Sequence, residues 1–60
     1  MSKPQTIGEL YSTLIGWTAR HICQDEIACY GKDSLLSQYQ FDKIMGFEVN
    51  ERAAIERRNS

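Results

Sequence analysis

A chain of 60 residues hides only roughly 60% of its unfolded surface, near the lower limit for folding alone. This thin core constrains the architecture more than any motif does. A disulfide does not relieve it, because Cys23 and Cys29 are six apart and in one helix their backbones would stand ~9 Å apart along the axis. Both are read as reduced thiols. Apolar residues make up 42% of the chain and charged residues 25%, a globular mixture rather than a disordered one. The chain is therefore expected to fold as a single helical domain over 1–60, with flexible ends at 1–5 and 59–60.

A formal charge of -1 lacks the positive excess of proteins that live on phosphate backbones. The opening MSKPQT has no basic segment followed by an apolar run, and no stretch approaches the ~18 apolar residues of a membrane span. A cytoplasmic protein with no membrane contact is expected.

Thr6-Ile7-Gly8-Glu9 has the spacing of a capping box, in which the Thr6 hydroxyl accepts an amide three residues on and Glu9 reaches back to the Thr6 amide. A long first helix should begin there. Successive steps of ~100° place Ile7, Leu10, Tyr11, Leu14, Ile22, Ala28 and Cys29 on one stripe, interrupted by Thr18, His21 and Asp25. Gly31 supplies the helix closure. A kink near Gln24-Asp25 is the alternative to one continuous helix.

The second segment does not fit a straight amphipathic helix from Leu35, since Leu35, Leu36 and Tyr39 fall opposite Phe41, Ile44 and Met45. Ser37 capping a helix with Gln40 as its box partner, and Leu36 stapling onto Phe41, fits better. Leu35 and Leu36 could also form an earlier turn capped by Asp33. The helix would run from about Gln38 to Met45, closed by Gly46 with Phe47 folding back. Asn50 would then cap a last short helix from Glu51 to about Arg58. The expected fold is thus all-α, one long and two shorter helices, and self-associating, because a thin core is combined with the large apolar groups Tyr11, Trp17, Tyr30, Tyr39, Phe41 and Phe47.

His21 and Asp25 lie on one helical face near both cysteines, yet the spacing suits neither zinc, which takes cysteines two to four apart, nor a thiol nucleophile, which needs a base and oxyanion donors. They are read as a hydrogen-bonded pair, with no catalytic group, cofactor or metal expected. A face of small side chains, Ser12, Gly16, Ala19 and Cys23, lies opposite the large stripe and would either let a symmetry mate approach closely in a homodimer or stand as a weakly polar solvent face. Trp17, at the stripe's edge, is a core border or a partner contact. The segment around Gly46 and Asn50 also invites a helix-turn-helix reading with Arg52, Arg57 and Arg58 on DNA, although Glu51 and Glu56 would repel phosphate. An Arg52–Glu56 pair on a solvated helix is the simpler expectation.

In size and style, through TIGELYSTLIGWTARHI and GFEVNERAAIERR, the chain resembles the accessory proteins encoded in early regions of lambdoid temperate phages. That resemblance implies a small non-enzymatic helical protein acting stoichiometrically on a host or phage protein. It assigns no residue a role.

Overall fold

A computed structural model describes residues 3–59, which form three α-helices and no strand: α1 (Ile7–Thr13), α2 (Trp17–Tyr30) and α3 (Gln38–Asn59). The all-α, three-helix class is as the sequence reads, but two boundaries differ. The expected long first helix is broken at 14–16, not near Asp25, and the two expected short helices are one.

The capping box opens α1 as anticipated, and every amide of its first turn has an acceptor. Ile7 N donates to Ser34 O (3.1 Å), Gly8 N to Lys32 O (2.9 Å), Glu9 N to Thr6 Oγ1 (3.2 Å) and Leu10 N to Thr6 O (3.1 Å). Two of these acceptors belong to the 31–37 connection, so the start of α1 holds that loop in place. An antiparallel bridge of Thr6 with Leu35 and a bond from Leu36 N to Gln5 O (2.8 Å) complete the seam. Gln5, expected within a flexible end, is bonded into it. Lys3 also donates to Gln38 Oε1 (2.7 Å) and lies 4.4 Å from the Phe41 ring centroid. Of the ends expected to be flexible, residues 1, 2 and 60 lie outside the described residues.

The break after Thr13 has a local cause and a distant one. Ser12 Oγ and Thr13 Oγ1 donate back to Glu9 O and Leu10 O (2.8 Å each), a side-chain competition that disfavours continuing a helix, and the β-branched Ile15 and helix-poor Gly16 follow. Leu14 and Gly16 are extended, with ψ near 140 at both. The amides freed by the break are received by α3, described below. With the register reset at Gly16, α2 turns Ala19 and Cys23 inward and leaves His21, Asp25, Ala28 and Cys29 exposed. The expected inward stripe of Ala28 and Cys29 is corrected accordingly. Gly31 closes α2 at a φ of 94, with its amide on Ile27 O, the positive-φ closure that the sequence called for.

Ser37 caps α3 in a second box, its Oγ receiving Gln40 N and its amide donating to Gln40 Oε1 (3.1 Å each). The helix then passes through both Gly46 and Asn50. A glycine inside a helix costs about 1 kcal/mol relative to alanine, but Ile44 and Glu48 are both buried on either side of it and hold the backbone helical. Phe47 does not fold back, and no turn exists between Gly46 and Asn50 for a helix-turn-helix.

Ile7, Leu10, Leu14, Ala19, Cys23 and Ile44 form the core, and Tyr11, Ile22, Ile27, Leu36, Phe41 and Met45 pack around it. Both α1 and α3 lie against α2. Each contributes few buried side chains, so the polar seams between elements carry an unusual share of the architecture.

Candidate functional site

Ending one helix and starting another within three residues leaves carbonyls and amides unpaired on opposite sides of the 14–16 turn. Side chains of α2 and α3 meet them with matched charge. Glu48, fully buried, accepts from Gly16 N at Oε1 (2.8 Å) and from Ile15 N at Oε2 (3.0 Å), and Oε2 also receives Arg52 Nε. Glu51, one turn on, accepts from Ala19 N at Oε1 and from Thr18 N at Oε2 (2.9 Å each), serving as an N-cap supplied by another helix. The carbonyls are met by cations: Arg52 Nη2 donates to Thr13 O and Arg20 Nη1 to Leu14 O (3.0 Å each). Arg20 also lies over the Tyr11 ring and donates to its hydroxyl. No buried side-chain nitrogen or oxygen among the described residues is without a partner.

Burial pushes the Glu48 carboxyl up, but hydrogen bonds from Arg52, Gly16 and Ile15 outweigh it and hold the group below the ordinary carboxylate value. The Thr18 amide does most to lower Glu51, helped by Ala19 and opposed by partial burial and by the Glu48 charge. Folded values below the unfolded one mean that both carboxylates contribute stability above the unfolded pKa, about 4.3, and lose it as pH falls through their folded values. Urea midpoints should therefore be level from about pH 7 to 5.5 and drop below about pH 4.3, with Glu51→Gln flattening the drop. An unchanged acid profile in Glu51→Gln would count against its N-cap role.

The small-residue face is thereby accounted for within one chain. Ala19 and Cys23 are wholly buried, Gly16 is buried against Glu51, and only Ser12 is exposed, so these four do not form an outward face for a symmetry mate. The Cys23 thiol donates to Ile7 O (3.4 Å), and burial, then the Glu26 charge, push it up to about 11. It is protonated at neutral pH. His21 and Asp25 are both exposed, and the His21 ring lies 4.4 Å from that of Trp17 at a 59° tilt, in place of the expected His21–Asp25 pair. Arg52 pairs with Glu48 rather than Glu56. Arg57 Nε reaches Ala53 O (3.4 Å), and Arg58 edges a surface cleft. The three arginines proposed for DNA therefore do not form one basic face, Arg52 being committed to the turn.

Among the open clefts of the described residues, two are lined by more than one exposed large apolar side chain. One of about 330 Å³ is lined by Ile15, Trp17, Glu51, Ala54, Ile55 and Arg58, with Trp17 73% exposed. The other, about 440 Å³, includes Tyr30, Leu35 and Tyr39, exposed by 61%, 81% and 76%. Sequence reasoning singled out Trp17 but missed Leu35 as a surface group and Glu48 altogether. Among the described residues, no three His, Cys, Asp or Glu side chains converge to hold a metal, and no helix is long and apolar enough to cross a membrane. No family model, curated protein or solved structure matches the chain.

Proposed function

We propose that this is a non-enzymatic helical interaction protein of the cytoplasm that acts stoichiometrically by docking its Tyr30–Leu35–Tyr39 surface onto another polypeptide. The observation that carries this reading is the exposure of three large apolar side chains around one cleft in a chain too small to spare them from its core. Leu35 is held outward because its neighbours are bonded to the start of α1: Ser34 O receives Ile7 N, and Leu36 N donates to Gln5 O. The surface is thus preorganised, which lowers the ordering cost of binding. Two tyrosines flanking a leucine also match the amphipathic composition of interface anchors. The polar groups in reach, Glu26, Ser34, Ser37 and Gln40, suit recognition at a rim rather than proton transfer. Regulation of a host or phage protein, as the resemblance to phage accessory proteins implies, is a role such a surface would serve.

A photo-crosslinking phenylalanine at Tyr39, in cells expressing the protein, tests this reading. One defined polypeptide should be captured at 1:1 stoichiometry, and Leu35→Asp should abolish the adduct while helicity is kept. No adduct at Tyr39, or the same adduct from a probe at Lys43, would contradict the reading.

A further inference from the structure

We infer that the Trp17 cleft is the contact between two copies of this chain, with α3 crossing its twofold mate antiparallel about a point between Ala54 and Ile55. Glu51 and Arg58 line this cleft at two ends of one helical face, with Ala54 and Ile55 between them. Seven residues are close to two helical turns, ~10.5 Å. A twofold axis across α3 midway along that span exchanges Glu51 with Arg58 and Ala54 with Ile55. The face is therefore complementary to itself, as an isologous interface requires, and it brings a carboxylate onto a guanidinium twice.

The turn described above gives a separate reason for that pairing. Glu48 and Glu51 each accept two backbone amides, and Glu48 also receives Arg52. Glu51 is only half-buried and, among the described residues, has no arginine in ion-pair contact. Arg58 of a second copy would supply one, on the side of the carboxylate that faces the cleft. Apolar complementarity points the same way: one side of the Trp17 indole meets His21, and the rest of this 73% exposed side chain is available to cover Ile55 of the other copy. A specific twofold contact at the low end of the known range takes about 600 Å² from each copy. The chain exposes 4457 Å², so such a contact uses roughly an eighth of its surface and leaves the Tyr30–Leu35–Tyr39 surface to a different partner. The two surfaces are separate, and the inference does not depend on what docks at the second.

Sedimentation equilibrium of the full chain from about 1 to 300 µM, spanning micromolar affinities, tests the pairing. The wild type should pass from monomer to dimer, and Trp17→Ala and Arg58→Glu, neither in the core, should each raise the dissociation constant tenfold or more with unchanged helicity. In a Cys29→Ser background, Ala54→Cys beside the axis should oxidise to a covalent dimer, whereas Ala53→Cys, ~100° round the helix, should not. A wild type that stays monomeric throughout overturns the inference. So does a dimer indifferent to both substitutions, or one that Ala53→Cys links as readily as Ala54→Cys.

Discussion

Glu48→Ala is expected to destabilise the fold by about 2 to 4 kcal/mol, chiefly through the backbone amides it leaves unpaired, because its Arg52 partner is half-exposed and stays solvated. The substitution removes the acceptor of Ile15 N and Gly16 N and the partner of Arg52 together. The buried Gly16 amide left unpaired costs about 1 to 3 kcal/mol and the part-buried Ile15 amide about 1 kcal/mol. At about 0.05 to 0.15 kcal/mol per residue, a domain of this size has only about 3 to 9 kcal/mol in all. The loss is therefore a large fraction of the total, and at the low end of that range much of the population would be unfolded at 25 °C. Glu48→Gln should fall between, because its carbonyl keeps one amide while its own NH₂ group faces further donors. Urea titrations followed by circular dichroism give both values. Equal, small losses in the two variants would mean that Glu48 only fills space.

Gly16→Ala is the second large effect, and its sign is informative. Gly16 has φ -78 and ψ 140, which alanine adopts without strain, so an unobstructed site would be stabilised by about 0.4 to 1 kcal/mol. A methyl group there would instead lie 2.8 Å from Glu51 Cβ and Oε1 and 2.9 Å from its Cδ. Glu51 would have to withdraw from Thr18 and Ala19, adding lost hydrogen bonds of about 1 kcal/mol each to an overpacking cost of about 1 to 3 kcal/mol. A net loss of about 2 to 4 kcal/mol is expected from those terms. Gly16→Leu should therefore unfold the chain rather than separate a dimer. Glu51→Ala removes the carboxylate atoms but keeps the Cβ, so the cost should shrink only in part in that background, a coupling that a double-mutant cycle measures. A stabilised Gly16→Ala would place α3 elsewhere.

Local signals in the sequence were reliable where the partner lay within a few residues. Both capping boxes and the Gly31 closure follow from side chains that reach their own backbone. Readings that needed distant partners were the ones that changed. Gly46 and Asn50 look like a stop and a start, but the burial of Ile44 and Glu48 overrides those preferences with tertiary contacts. Gly16 looks like a helix-interior glycine seeking a partner helix, and it does have one, though from its own chain. A signal for Glu48 was present: in a single helix from 38 to 59, Phe41, Ile44, Glu48, Glu51 and Ile55 share a face. Two carboxylates in an inward stripe require donors, and the amides of a broken helix are the nearest large supply. A helix boundary at Gly46 would break that stripe. The two surface clefts were less legible, because exposure of Leu35 depends on the seam between the 31–37 connection and α1.

Amide hydrogen exchange by NMR, read at Ile15, Gly16, Thr18 and Ala19, tests the central claim most directly, namely that two carboxylates of α3 hold the turn between α1 and α2. Amides in the first turn of an ordinary exposed helix have no intrahelical acceptor and exchange almost as fast as an unstructured chain. These four should instead approach the protection of core amides such as Cys23, opening only with the global transition, and Glu48→Gln should deprotect Ile15 and Gly16 before the rest. Exchange at Gly16 and Ala19 within a few-fold of the unstructured rate, in a protein whose core amides remain protected, would contradict the account.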